Sequence, residues 1–197
     1  LLSRFDFSLD HGIYDAREKD SCLEGLVAFG TPALPHIKKH LQNSTRIAWP
    51  IKALVKLAPE TEVVDTLESC LDYGSVEFDQ EVTDKNYDLL CYLREYRLEE
   101  GRSAKLIHFT KALDERVRYA AVEVLVEQGR PETVTELEHF LIDASAENTR
   151  IRQAMIAAYV THQWPVVNQA LVTPGSPLIP GILVGKNFHL IAQDIVH

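Results

Sequence analysis

His36 and His40 stand four residues apart in Pro35-His36-Ile37-Lys38-Lys39-His40, a spacing that lets two imidazoles leave one helix face as metal ligands do. No Cys or carboxylate in that helix completes a ligand set, and Lys38 and Lys39 would repel a cation. Leu34, Ile37 and Leu41 claim the buried face, so both histidines are expected at the surface. Cys22, Cys70 and Cys91 are odd in number, widely spaced and set on apolar stripes, which reads as reduced buried thiols rather than a disulfide framework. The carboxylates Asp72, Glu77, Asp79, Glu81 and Asp84 crowd the interval Gly74 to Glu81 and its borders, but without the alternating Asp/Asn ligands, central Gly and closing Glu of a calcium loop. That interval is read as a solvated loop. Neither a Gly-x-Ser-x-Gly elbow nor a phosphate or dinucleotide glycine pattern occurs. No catalytic residue, cofactor site or metal site is assigned.

The elements that would position such side chains are helical pairs. Cys22, Leu23, Leu26 and Val27 follow helical spacing up to Gly30, and Thr31-Pro32 restarts a helix carrying Leu34, Ile37 and Leu41. Ser44 or Thr45 is expected to open the next helix, with Pro50 in its early turns and Ile47, Ile51, Leu54 and Leu57 along it. After Ala58-Pro59 come Val63, Val64, Leu67, Cys70 and Leu71. A third pair carries Leu89, Leu90, Leu93 and Tyr96, then Leu106, Phe109, Thr110 and Leu113. Asp114 is a natural N-cap for the fourth, Gly129-Arg130-Pro131 is its stop and restart, and Val134, Leu137 and Leu141 continue the stripe. A further first-type helix runs from about Glu147 to Gln163. Trp164-Pro165 then breaks the pattern, and Trp49 is read as a core or inter-repeat residue.

The segment Asp114-Glu115-Arg116-Val117-Arg118-Tyr119-Ala120-Ala121 returns, loosened, 34 residues later as Asn148-Thr149-Arg150-Ile151-Arg152-Gln153-Ala154-Met155. A period in this range signals stacked helical hairpins. With Leu125, Gly129, Leu137 and Leu141 in their places, the stretch resembles the HEAT-like repeat family, in particular the short repeats of phycobilisome-lyase-related proteins. The resemblance implies an all-α, right-handed α-α superhelix of about four to five hairpins over residues 15–163, in which the Asp and Arg bond the turns of adjacent repeats. Residues 1–14 are expected as an extended arm, from the alternation of Phe5, Phe7 and Leu9 with polar residues. Residues 164–197 are expected as a C-terminal cap containing a small β-hairpin, Ile182–Val184 against Phe188–Ile191.

A formal charge of −9 and Lys/Arg residues interleaved with acids disfavour nucleic acid as a partner. No apolar run approaches the ~18 residues of a membrane span, and the start lacks a signal-peptide pattern, so a cytoplasmic protein is expected. The missing initiator Met suggests a chain that begins inside a longer frame or was processed. The resemblance implies fold rather than activity. Its iron-hydroxylase members use His-Glu pairs, which this sequence lacks, and its bilin lyases leave no short motif to test. The expectation is a non-catalytic scaffold or adaptor that binds another protein or peptide. In HEAT-like arrays the second helices line the concave side, which here places His36, Lys39, His40, Lys105, His108, Thr135, Glu138 and His139 on it. The alternatives are a bilin lyase or chaperone, another HEAT-fold enzyme, or a structural segment of a larger assembly.

Overall fold

The computed structural model describes residues 1–74 and 79–193, and the side chain of Glu100 stands outside that description. The described residues are mostly helical, with ten α-helices and one small antiparallel sheet of three strands near the C-terminus. No helix among them is long and apolar enough to cross a membrane. The chain forms two compact units, Leu1–Tyr96 and Arg97–His197.

In the first unit, a 3-10 turn over Leu2–Asp6 precedes α1 (Gly12–Phe29), α2 (Leu34–Asn43), α3 (Ala48–Leu57), α4 (Glu60–Ser69) and α5 (Gln80–Leu93). Gly30 closes α1 by donating its N–H to the carbonyls of Leu26 and Val27. Pro50 lies in the first turn of α3, where no helical donor is lost, and is buried with Ile51, Ala53 and Leu54. The apolar stripes of α1 and α2 close on α3, and α4 packs on α5. Ile37, Leu41, Ile51, Leu54, Leu67, Leu89 and Leu90 are completely enclosed. Asp79 caps α5, its carboxylate accepting from the N–H groups of Glu81 and Val82 at 2.8 and 3.2 Å.

Two expectations for this unit are corrected. The N-terminal arm is not extended at its start: residues 2–6 wind into the 3-10 turn, and Phe5 is buried. The reason is tertiary, because Phe5 stacks on Trp49 of α3 with ring centroids 6.1 Å apart. The second helix pair opens at Ala48, later than Ser44 or Thr45. Ser44 is occupied elsewhere, accepting from the N–H of Arg46 and donating to Asp6. Within the interval Gly74 to Glu81, Gln80 and Glu81 already belong to α5, while Ser75, Val76, Glu77 and Phe78 lie outside the described residues.

The second unit contains α6 (Glu100–Leu106), which tightens into a 3-10 turn over Ile107–Lys111, then α7 (Glu115–Glu127), α8 (Pro131–Thr135), α9 (His139–Ile142) and α10 (Thr149–His162). Asp114 caps α7 by accepting from the Arg116 N–H at 2.8 Å. Gly129 supplies the positive φ, +63°, that ends this helical run. The helix expected from Pro131 onward is broken into α8 and α9. Between them and into α9, Leu137, Glu138, Phe140 and Leu141 each donate to the carbonyl three residues back, at 2.9 to 3.2 Å. Such bonding repeats every three residues and brings Val134, Leu137 and Phe140 onto one face. α10 packs against α7 and α9, and buries Ile151, Met155, Ile156 and Tyr159.

The tail holds one more strand than expected. β1 (Pro177–Ile179), β2 (Ile182–Val184) and β3 (Leu190–Ala192) pair antiparallel in that order. The hairpin is the β2–β3 pair, with Val184 opposite Leu190 and both buried. Its turn is close-packed at Gly185, where a Cβ would stand 2.8 Å from the tip of the Ile191 side chain and 3.2 Å from the His189 carbonyl. β3 touches α10.

Candidate functional site

The residues expected to bind a partner are divided between the units. On α2, Leu34, Ile37 and Leu41 face inward as the spacing requires, and His36 and Lys39 are exposed. His40 is not outward. The N-terminal turn lies over it, leaving its side chain 14 % exposed with Nε2 buried and 3.2 Å from Oδ1 of Asp6. In the second unit Lys105, His108 and His139 are exposed, and Thr135 is half-buried with its hydroxyl donating to the Pro131 carbonyl at 2.7 Å. The His139 ring leans on Phe140 at 4.1 Å, and His108 meets Phe109 edge-on at 5.4 Å, so an exposed imidazole covers a buried phenyl at both places.

Glu138 departs furthest from expectation. It is 1 % exposed and accepts from the Tyr159 hydroxyl at 2.8 Å and from the N–H groups of Val167 and Asn168 at 2.7 Å each. A 3.6-residue period places Glu138 beside Thr135 on the outside. The three-residue bonding between α8 and α9 turns it inward, where it anchors the chain after α10. Burial, together with the neighbouring carboxylate, raises the Tyr159 hydroxyl well above the usual tyrosine range. Glu138 is therefore an internal clamp and unavailable to a partner.

Two arginines 34 residues apart behave alike. Arg118 of α7 donates through Nη1 to the carbonyls of Ala112 and Leu113, 2.8 Å each, and through Nε to Asn148 Oδ1 at 3.3 Å. Arg152 of α10 donates to the Leu141 carbonyl at 2.9 Å and to the Leu178 carbonyl at 3.2 Å. Arg118 thus ties the segment before α7 to the N-cap of α10, and Arg152 ties α9 to β1. A second tie joins these helices, with the Arg150 guanidinium 4.2 Å above the Tyr119 ring.

In the first unit the equivalent internal strut is Lys85, which sequence reading passed over. Its ammonium, buried on α5, donates to the last carbonyls of α2, Leu41 at 2.7 Å and Gln42 at 3.1 Å. Burial lowers its pKa. Also unanticipated is the ion cluster at the N-terminal turn. Arg4 meets Asp15 at 2.7 Å and Glu18 at 2.8 Å, and Lys19 meets Asp15 at 2.8 Å. Hydrogen bonds from Lys19, then from Arg4 and the Leu9 amide, hold the Asp15 carboxyl below the ordinary carboxylate range. Alternating signs in Ser3-Arg4-Phe5-Asp6 are a signal for this cluster, but they name no partner without the fold.

Of the three thiols, Cys70 is buried while Cys22 and Cys91 are half-buried, and none is in a disulfide. Burial raises the Cys70 pKa. Among the described residues no group of three or more His, Cys, Asp or Glu is arranged to hold a metal ion. A hollow of about 240 Å³ in the second unit is lined by Asp143, Thr149, Arg152, Gln153, Ile156 and Ile179. Comparison with known proteins finds no matching family, no matching curated protein and no matching solved structure.

Proposed function

We propose that the chain is a short HEAT-like repeat protein that acts as a non-catalytic scaffold, gripping another protein through exposed side chains of its second helices. The observation that carries this reading is the paired arginine geometry. Arg118 and Arg152 recur at the sequence repeat, and each bonds backbone or side-chain groups of two other segments: Arg118 the Ala112 and Leu113 carbonyls before α7 and Asn148 before α10, Arg152 the Leu141 carbonyl in α9 and the Leu178 carbonyl in β1, ties of the kind that would lock successive hairpins of a stacked array. In such an array the outer positions are free to specialise. His36 and Lys39 in the first unit, and Lys105, His108 and His139 in the second, are the exposed members of the expected set. Imidazoles resting on buried phenyl rings offer a rigid, partly apolar contact at little cost in side-chain entropy.

The test is affinity capture from native lysate with His108→Glu/His139→Glu as the control. Near-stoichiometric recovery of one protein by the wild type, lost in the double variant with an unchanged melting temperature, is expected. The same proteins recovered by both would sink the assignment of this face.

A further inference from the structure

Residues Leu1–Leu9 are held on the first unit as a peptide ligand is held, by side chains. Among the described residues no backbone-to-backbone hydrogen bond joins them to the helices. Three consecutive residues are instead read by three different helices. α1 takes the base, with Asp15 and Glu18 on the Arg4 guanidinium at 2.7 and 2.8 Å. α3 takes the aromatic ring, stacking Trp49 on Phe5, which is 2 % exposed. The end of α2 takes the acid: Ser44 Oγ donates to Asp6 Oδ1 at 2.9 Å, and the buried His40 Nε2 approaches the same oxygen at 3.2 Å. Further along, Arg46 donates to Ser8 Oγ at 3.0 Å, and the Leu9 amide donates to Asp15. The link Leu9-Asp10-His11 that follows is exposed, so the turn can leave without unwinding α1.

We propose that this seat, walled by α1, α3 and the end of α2, is a peptide-recognition site occupied in cis by the chain's own Arg4-Phe5-Asp6 turn. In trans it takes a protein segment of the same chemistry: a base, an aromatic and an acid in consecutive positions of one tight turn. The seat is separate from the exposed histidines and lysines, and it stands without the repeat reading. Selectivity is built in, because the aromatic pocket supplies the apolar term while carboxylates on one side and an imidazole on the other fix the direction of the turn. A tethered occupant competes at an effective concentration of about millimolar, so the cis turn screens the seat until it is loosened.

The experiment titrates a fluorescein-labelled peptide of residues 1–8 against the full chain by anisotropy, comparing wild type with Phe5→Ala. The expected result is saturable binding at least tenfold tighter to Phe5→Ala than to wild type. A peptide that itself carries Phe5→Ala, or one with Arg4 and Asp6 exchanged, is expected to bind at least tenfold more weakly. Should Phe5→Ala not keep its helical circular dichroism, Arg4→Ala/Asp6→Ala, which retains the buried ring, takes its place with the same expectation. Absence of saturable binding to the folded loosened variant overturns the proposal. Equal binding of the native and charge-exchanged peptides also overturns it.

Discussion

Single side chains with long reach hold both units at points where helices end. Lys85 supplies N–H donors to two carbonyls at the C-terminus of α2, groups that an α-helix cannot satisfy internally. Lys85→Met leaves both carbonyls without that donor and is expected to cost about 1–3 kcal/mol in denaturant unfolding. Glu138→Gln replaces one acceptor oxygen with an N–H₂ that faces backbone N–H donors, and a loss of about 1–3 kcal/mol is expected. Tyr159→Phe, which removes a single donor from the same clamp, is expected to cost less. Asp15 gives a pH signature. Its folded pKa is depressed, so its contribution is fully present above the unfolded value of about 4 and disappears as pH falls below it. The gap in melting temperature between wild type and Asp15→Asn should therefore narrow as pH is lowered from about 5 to about 2. A gap that is constant with pH would detach the Arg4–Asp15–Lys19 cluster from folding.

Among the elements, α7 and α10 carry the packing, and they are also where the sequence speaks most clearly. Val117, Ala121, Val124 and Leu125 are enclosed as their spacing implies, since small and branched residues on an inner stripe leave one solution. Leu125→Ala is expected to cost about 2–5 kcal/mol, measured by chemical denaturation. Caps such as Asp114 and Asp79 are local events, settled within three residues, and a short carboxylate beside free amides determines them. Asp114 was legible as a cap for that reason. What local pattern could not announce is the shift from 3.6-residue to three-residue bonding between α8 and α9. That shift decides whether Glu138 faces solvent, and it follows from the return of Val167 and Asn168 some 30 residues later. Trp49 and Phe5 make the same point: alternation in Phe5, Phe7 and Leu9 reads as an extended arm, but residues 2–6 wind into a 3-10 turn with Phe5 stacked on Trp49 of α3. β1 escaped notice because Pro177 and Pro180 mark a turn and mask an edge strand.

At the level of the whole molecule, each unit has its own enclosed apolar set: Ile37, Leu54, Leu67, Leu89 and Leu90 in the first, and Val117, Leu125, Leu141, Ile151 and Met155 in the second. Additivity of two substitutions, one in each enclosed set, measures whether the sets are independent. Leu54→Ala combined with Leu125→Ala is expected to lower stability by the sum of the two single losses, within about 0.5 kcal/mol. A larger departure, measured by hydrogen exchange on the three variants, would mean that the two cores respond to each other. The distribution of the sulfur and indole groups has a practical result. All three thiols and Trp49 fall in residues 1–96, while Trp164 alone falls in 97–197. Cys70, sealed until its surroundings open, is a chemical clock for one half of the protein, and Trp164, stacked on His162 at 4.5 Å, is an optical gauge for the other. Labelling of Cys70, resolved by peptide mass from the half-buried Cys22 and Cys91 and followed alongside the indole emission of a Trp49→Phe variant, would separate an opening in residues 1–96 from one in residues 97–197.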